Sequence, residues 1–343
     1  MTHEKYPIFA NTAHPATSCR GALAQLAYHS AFIVLIAIFL IHGGCSDRPE
    51  GAATQSISRE DAPELQRLKI VCTTTMIEDL ARILAADVAD VQGLMRPGED
   101  PHIYNVRPRD AEQIAQADLV LTNGYHLEST LDKVIKNNAT GRVVALAELA
   151  VPEPLGSPSE RDSGAPDPHC WMSVSNFQGY LQHARDALIA ADPDHAVAYR
   201  NNARKYDAQL RELDQWIQAQ FALIPAQQRV IVTSHDAFNY LADAYDIEVR
   251  AIVGISTAQS PRPQDIENIE AIIKDRDVRA VFVETSVSST LNTLVKKSAA
   301  ATGAKIGGTL YSDSLDEPGN PAGSYLGMMN HNVSTIVDAL RGS

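Results

Sequence analysis

Residues 192–225 have the sequence DPDHAVAYRNNARKYDAQLRELDQWIQAQFALIP, the longest helical pattern in the chain. Apolar side chains recur there every three or four residues, which places them on one face of an α-helix. Asp192-Pro193 is typical of an N-cap followed by a first-turn proline, and Pro225 ends the pattern. Roughly thirty residues at 1.5 Å each give a helix of about 45 Å. We expect one rigid helix to join two lobes and to permit only small motion between them.

Short β-branched runs alternate with helical patterns on both sides of this helix, which predicts βαβ units. The chain has 343 residues, too many for one ordinary core. The fold class we predict is α/β, with two lobes that each have a central, mostly parallel sheet flanked by helices. The predicted strands are Lys69–Thr73, Asp118–Thr122, Arg142–Leu146, Arg229–Thr233, Val249–Val253, Ala280–Glu284 and Lys305–Gly308. The predicted helices beside them are Met76–Ala85, Pro108–Ala115, Pro263–Lys274, Thr290–Ala301 and Ser324–Leu340.

An apolar run near the N-terminus predicts export. AFIVLIAIFLI, residues 31–41, is too short to span a bilayer as a helix but suits the core of a secretory signal. Gly43-Gly44-Cys45 follows and resembles a bacterial lipobox, although His42 departs from the usual pattern. We predict a signal peptide over 1–44 and a lipidated tether over 45–66, anchored through Cys45. An uncleaved anchor and a plain cleaved signal are the alternatives.

The folded body then divides into an N-terminal lobe at 67–191, a linking helix at 192–224 and a C-terminal lobe at 225–343. The formal net charge of −13 argues against a nucleic-acid partner. In the mature chain Cys72 and Cys170 are the two cysteines besides Cys45, and we predict that they do not form a disulfide.

The tripeptide Asp-Pro-His occurs twice, as Asp100-Pro101-His102 and Asp167-Pro168-His169. Proline restricts its own φ angle and favours an extended residue before it, so each copy presents an imidazole from a stiff loop. Asp100 and Asp167 are candidates to hydrogen-bond the far ring nitrogen of their histidines, as carboxylates often do beside metal ligands. The repeat therefore indicates metal ligation by His102 and His169.

His235 and Asp313 are the further ligand candidates, because each follows a predicted strand. Ligands of open α/β sheets bind beyond the carboxyl ends of strands, so the four side chains are expected to meet between the lobes. Glu284 ends another strand and could orient His235 from behind. Four protein ligands close a tetrahedral site, which favours binding over catalysis. For His126, His183, His195 and His331 we expect ordinary capping, packing or surface roles.

These residues resemble a known family, the TroA-like or cluster A-I metal-binding lipoproteins of bacterial zinc and manganese ABC importers. The resemblance runs from about Leu68 to Leu340. Its motifs are Gly98-Glu99-Asp100-Pro101-His102, 117–124 with His126-Leu127-Glu128, Asp167-Pro168-His169-Cys170-Trp171, 233–238, Gly254-Ile255-Ser256-Thr257, Val283-Glu284-Thr285-Ser286, 310–314 and Tyr325-Leu326-Gly327-Met328-Met329.

The resemblance implies a non-enzymatic, extracytoplasmic solute-binding protein. It would hold one Zn²⁺ or Mn²⁺ per chain as cargo at His102, His169, His235 and Asp313, and deliver it to an ABC permease with its ATPase. It implies a monomer, periplasmic or on the outer surface of the cytoplasmic membrane. Manganese-dedicated members tend to have Glu at the third ligand position, where this chain has His235. Zinc-dedicated members often have a histidine-rich loop, which Val151–Pro166 lacks. Both metals therefore stay open.

Two other functions stay open as well. A secreted zinc hydrolase could use His102, His169 and His235 as ligands and Asp313 as base, if one coordination position were left to water. A role in cell adhesion is compatible with the same cleft as a second function.

Overall fold

The computed structural model describes residues 67–157 and 164–341. The predicted signal peptide, the tether and Cys45 lie outside the described residues. Two four-stranded sheets form the body, and every strand pair in them is parallel. The first sheet has the order β2-β1-β3-β4 and the second has the order β6-β5-β7-β8. The strands are β1 Leu68–Cys72, β2 Ala89–Gly93, β3 Leu119–Thr122, β4 Arg142–Ala145, β5 Val230–Thr233, β6 Glu248–Ala251, β7 Ala280–Glu284 and β8 Lys305–Leu310.

Helices connect and cover the strands of both sheets, as parallel pairing requires. Those of the first half are α1 Thr75–Ala85, α2 Pro108–Gln116, α3 Ser129–Asn138, α4 Leu146–Ala150 and α5 Val174–Ala191. Helix α6, Ala196–Phe221, links the halves, and α7 Asn239–Tyr245, α8 Pro263–Asp275, α9 Ser289–Thr302 and α10 Tyr325–Arg341 complete the second. The α/β fold class and the linking helix are confirmed. No helix in the described ranges combines the length and apolarity that crossing a bilayer would need.

The central strands of each sheet are the most buried. β3, β5 and β7 are buried at every residue, because helices cover both of their faces. In the outer strands, buried residues either alternate with exposed ones or are fewer than the partly or fully exposed ones. A register shift between Val281 and Phe282 marks a bulge in the pairing of β7 with β8, and β8 continues to Leu310, past the predicted end at Gly308.

Helix α6 contacts α1 and α5 of the first half of the chain and α7 and α10 of the second half. It has 26 residues, about 39 Å at the usual rise. Its buried face consists of Tyr199, Ala203, Tyr206, Leu210, Leu213, Ile217 and Phe221. These side chains belong to one apolar cluster that also contains residues from both sheets. The two lobes therefore share a core along the linking helix.

The start of this helix differs from the prediction. Asp192 and Pro193 begin a short 3₁₀ turn, Pro193–His195, and the α-helix starts only at Ala196. The Asp192 carboxylate is not the N-cap of α6, for which His195 is the N-cap residue and no side chain forms a capping hydrogen bond. This carboxylate instead accepts hydrogen bonds from His195 Nδ1 at 2.7 Å and from the Tyr199 hydroxyl at 2.7 Å. Sequence pattern alone does not distinguish this use of an aspartate from a helix cap.

The loop before the second Asp-Pro-His is closed at its base. Gly156 pairs with Pro166 in an isolated antiparallel bridge, and Asp167 N–H donates to Leu155 O at 2.8 Å. Cys170 follows the loop and is buried, as is Cys72, and both are free. The paired base fixes the direction in which His169 leaves the loop.

We predict that Leu210→Ala lowers the free energy of unfolding by about 2–5 kcal/mol, because it opens a cavity in the core that both lobes share. Urea denaturation of the metal-free protein measures this. Leu223→Ala is the matched control, since Leu223 follows the same helix and is 49% exposed. A change within about 0.5 kcal/mol is expected for the control. Equal effects of the two substitutions would contradict a shared core at α6.

Candidate metal centre

Four side chains meet between the two lobes, each with one potential ligand atom. His102, His169, His235 and Asp313 offer atoms that all lie within 4.8 Å of one another, and all four residues are buried. His102 Nε2 lies 3.3 Å from His169 Nε2. The Asp313 carboxylate lies between two rings, with Oδ1 3.3 Å from His169 Nε2 and Oδ2 3.1 Å from His235 Nε2. The structure thus brings together all four residues that the sequence predicted.

The strand ends place these side chains. His102 lies in a 3₁₀ turn, Pro101–Ile103, on the connection after β2, and His235 follows β5 within two residues. Asp313 follows β8, and His169 directly precedes another 3₁₀ turn, Cys170–Met172. In the second sheet the strand order reverses between β5 and β7. The chain adds β6 on the outer side of β5 and later adds β8 on the outer side of β7. Binding sites form at such points, beyond the carboxyl ends of the strands.

Asp167 orients the ring of His169. Its Oδ1 lies 2.7 Å from Nδ1 of the ring and also accepts the backbone N–H of His169 at 2.9 Å. Both side chains are completely buried. With Nδ1 held by the carboxylate, Nε2 faces the other three candidates, which is the arrangement expected of a metal-binding histidine.

Glu284 holds His235 in a similar way from the end of β7. Its Oε1 accepts the backbone N–H groups of Ser234 at 2.8 Å and of His235 at 3.0 Å. Its Oε2 lies 2.7 Å from His235 Nδ1, in a contact that is closer to an ion pair than to an aligned hydrogen bond. The side chain that the sequence singled out thus contacts both the backbone and the ring of this candidate ligand.

Asp100 differs from the expectation. Its Oδ1 accepts the backbone N–H of His102 at 2.9 Å rather than a proton of the ring. Its Oδ2 accepts the hydroxyl of Thr257, in the opposite lobe, at 2.6 Å. The ring of His102 packs against those of His169 and His235, with centroid distances of 5.3 and 5.8 Å. In both tripeptides the aspartate therefore accepts the backbone N–H of the histidine, but only Asp167 also contacts the histidine ring.

Sequence reasoning missed three polar residues around the site. Ser286 Oγ accepts the Asp313 N–H at 3.1 Å and lies 3.5 Å from Asp313 Oδ2. Asn239 donates from Nδ2 to Asp167 Oδ2 at 2.9 Å, and Thr257 binds Asp100 as described. Each lies in a motif quoted above or one residue beyond it, but serine, threonine and asparagine in a loop carry no signal of their own.

Burial and charge set the protonation of the metal-free cluster. Burial, together with the neighbouring His169 and His235, lowers the pKa of His102 to about 3. Burial acts in the same direction on His169, but Asp167 and Asp313 outweigh it and raise its pKa to about 9. Glu284 and Asp313 likewise overcome burial at His235 and raise its pKa well above the ordinary value. The two rings overcome the effect of burial on Asp313 and hold its pKa well below the usual range.

The donor set suits a divalent transition metal. Three imidazoles and one carboxylate are the ligands of zinc sites and are compatible with manganese and iron. His235 Nε2 and Asp313 Oδ1 are buried and make no aligned hydrogen bond. Buried polar atoms without an aligned hydrogen bond cost free energy, which a bound cation would recover. The residues present therefore fit a metal ion.

The other histidines of the described ranges do not belong to this cluster. His126 is exposed and contacts Asp132 from Nδ1 at 3.3 Å. His331, within α10, contacts Thr309 O at 2.9 Å. The Trp171 indole packs edge-on against His169 and donates to Ser312 O at 3.1 Å, whereas Tyr311 packs against His331 and donates to Asp316 Oδ2 at 2.9 Å.

A two-lobed α/β body with convergent ligand candidates between its lobes defines the class of a substrate-binding protein. A family model described as "ZnuA: Zinc-uptake complex component A periplasmic" matches residues 70–339. The chain belongs to this family, the metal-binding substrate-binding proteins of ABC transporters, which confirms the resemblance and its non-enzymatic class.

Relatives and a solved structure agree with this assignment. The manganese-binding lipoprotein MntA of Bacillus subtilis (strain 168) is 34% identical over 278 residues, which cover 80% of this chain and 90% of the relative. The iron-binding protein YfeA of Yersinia pestis is 33% identical over 308 residues, covering 90% and 96%. The structure of the periplasmic zinc-binding protein TroA from Treponema pallidum aligns with a TM-score of 0.76 at 34% identity and covers 80% of this chain and 99% of that one.

We predict that Glu284→Gln lowers the affinity for Zn²⁺ roughly 10- to 100-fold, because His235 Nδ1 loses the charge that orients its ring. Competition with a chromogenic chelator measures this affinity. Glu267→Gln, on the exposed face of α8, is the matched control and should leave it unchanged. Wild-type affinity in Glu284→Gln would show that Glu284 only supports the backbone.

A second prediction concerns the metal-free protein. At pH 7 His169, with its pKa of about 9, should be an imidazolium, and His102, with its pKa of about 3, should be neutral. ¹⁵N-resolved NMR of the ring nitrogens across pH 5–8 distinguishes these states. Titration of either ring near 6.5 would contradict the arrangement of charges described above.

Proposed function

We propose that His102, His169, His235 and Asp313 bind a single divalent transition-metal ion, zinc or manganese, as transport cargo. The observation that carries this proposal is the convergence of four buried ligand atoms within 4.8 Å, two from each side of the linking helix. Family membership supports it independently, because relatives of this chain bind manganese, zinc and iron.

The protein functions outside the cytoplasm as the substrate-binding component of an ABC importer, and its partners are the permease and its ATPase. Residues of both lobes bind and release the metal ion. His102 and His169 present Nε2 from the N-terminal lobe, and His235 and Asp313 complete the set from the C-terminal lobe. Ligating histidines must be deprotonated at the bonding nitrogen, so capture displaces a proton from His169 and from His235.

The donor set also bears on the identity of the metal. Imidazole-rich sites bind zinc more tightly than manganese, as the order of metal affinities requires. We therefore expect tighter binding of Zn²⁺ than of Mn²⁺ by the purified protein, while the supply of metal outside the cell decides which ion is carried. The hydrolase alternative has no support from the family.

The anchor and the domain limits complete the proposal. Lipidation at Cys45 would tether the body at 67–341 to the outer surface of the cytoplasmic membrane through residues 46–66. The division into lobes at 67–191 and 225–343 with the linking helix at 192–224 is part of the same proposal, as is a monomeric state. Mass spectrometry of the mature N-terminus tests the acylation directly.

We predict that His169→Ala lowers the affinity for Zn²⁺ and Mn²⁺ by more than about a hundredfold, because the loss of a direct ligand exceeds the 10- to 100-fold cost of losing an outer contact. Isothermal titration calorimetry measures both ions. His126→Ala, at an exposed histidine of the same lobe, is the matched control and should bind like the wild type. Undiminished binding of both metals by His169→Ala would overturn the assignment of the site.

A further inference from the structure

The two Asp-Pro-His motifs share a local geometry that follows from proline chemistry. Proline has no N–H group, so the first backbone donor after each aspartate is that of the histidine two residues on. Asp100 Oδ1 accepts from His102 N at 2.9 Å, and Asp167 Oδ1 accepts from His169 N at 2.9 Å. In both motifs one carboxylate oxygen is thereby occupied, and the other, Oδ2, is directed away from the turn.

Both of these second oxygens accept a hydrogen bond from the C-terminal lobe. Asp100 Oδ2 accepts the hydroxyl of Thr257 at 2.6 Å. Asp167 Oδ2 accepts from Asn239 Nδ2 at 2.9 Å, at the first residue of α7. Each aspartate thus binds its own ligand loop with one oxygen and the opposite lobe with the other. Within the described residues, no arginine or lysine forms an ion pair with either carboxylate.

The loops joined by Asp100 and Thr257 occupy equivalent positions in the two halves. One connects β2 to α2 and the other connects β6 to α8, and β2 and β6 are the outer strands of sheets with the same order. Both helices begin with Arg-Pro-x-Asp, in which the aspartate accepts the arginine N–H, at 2.7 Å for Asp110 and 2.8 Å for Asp265. The hydrogen bond between Thr257 and Asp100 therefore joins two loops, and each loop leads into a helix whose N-terminus is held by such an aspartate.

The two contacts differ in burial, which suggests different roles in opening. Asp167 is completely buried, whereas Asp100 and Thr257 are half-buried at the rim. Water can replace Thr257 at Asp100 when the lobes separate. The closed arrangement gains a hydrogen bond to a charged group, which is stronger than one between neutral partners.

We infer that Thr257 and Asn239 are positioning residues that couple lobe closure to the placement of the metal ligands. The carboxylates of Asp100 and Asp167 act as clamps, because they fix the loops of His102 and His169 and at the same time bind the lobe that supplies His235 and Asp313. This inference rests on the proposed metal-binding function and adds to it the side chains that retain the ion. Neither Thr257 nor Asn239 is among the four proposed ligands.

The consequence is kinetic. An ion enters while the lobes are apart, before Thr257 and Asp100 meet, and leaves only after that bond has broken. Removal of the Thr257 hydroxyl should therefore accelerate release and leave the association rate unchanged. A residue that only stabilises the fold would instead lower the unfolding temperature of the metal-free protein and leave the release rate unchanged.

The experiment measures the rate of Zn²⁺ release from the purified full-length protein by stopped-flow mixing with an excess of a fluorescent chelator. Thr257→Val should raise the dissociation rate constant about tenfold at an unchanged association rate constant. Thr257→Ser retains the hydroxyl and should restore slow release. Thr293→Val, at an exposed threonine of α9 in the same lobe, controls for the substitution itself. Asn239→Leu tests the second clamp in the same assay.

The outcomes distinguish a failure of the clamps from a failure of the proposed metal-binding function. Faster release in both Thr257→Val and Asn239→Leu, with rescue by Thr257→Ser, supports the clamps. Release at the wild-type rate in both variants, from protein that binds Zn²⁺ normally, overturns the clamps and leaves the proposed function intact. Wild-type protein that binds neither Zn²⁺ nor Mn²⁺ overturns the proposed function itself and the clamps with it.

Discussion

The buried carboxylate of Asp313 lies between imidazoles from both lobes, and the rest of the site depends on this interaction. Its oxygens lie 3.3 Å from His169 Nε2 and 3.1 Å from His235 Nε2. A charge removed from water is tolerated only when it is paired, so the closed arrangement requires that both rings be held in place. Asp167 and Glu284 hold them through Nδ1. A divalent ion among these groups would offset their negative charge, so cation binding and closure stabilise each other.

The shared core explains why closure need only be small. Helix α6 packs against helices of both halves, and its buried side chains belong to an apolar cluster that reaches both sheets. A large rotation of one lobe would expose this apolar surface to water, at a cost that grows with the area exposed. Other contacts between the lobes include side-chain hydrogen bonds, such as Gly98 N–H to Ser314 Oγ at 2.7 Å. Such bonds can be exchanged for bonds to water, and motion is therefore expected there.

Much of this arrangement could be predicted from the sequence, and the exceptions have physical reasons. The four candidate ligands follow from strand ends and from the repeated Asp-Pro-His, because both features fix where a side chain must point. The linking helix follows from its apolar spacing, although Asp192 binds Tyr199 and His195 instead of capping the helix. The hydrogen bond of Asp100 to Thr257 was not predictable, since it joins loops 157 residues apart whose approach depends on how the lobes pack. Local pattern specifies turns and faces, whereas contacts between loops depend on tertiary structure.

The two sheets have the same strand order, and both α2 and α8 begin with Arg-Pro-x-Asp. The equivalent loops nevertheless differ, because the loop that presents His102 has a counterpart that presents Thr257, whose hydroxyl binds a carboxylate. At this pair of loops, the N-terminal half supplies a candidate ligand and the C-terminal half supplies a hydrogen bond that restrains it. If the proposed roles are correct, the choice of ion and the time for which it is retained depend on different side chains. Substitutions at the restraining positions could adapt the receptor to a faster or slower permease without altering which metal it selects.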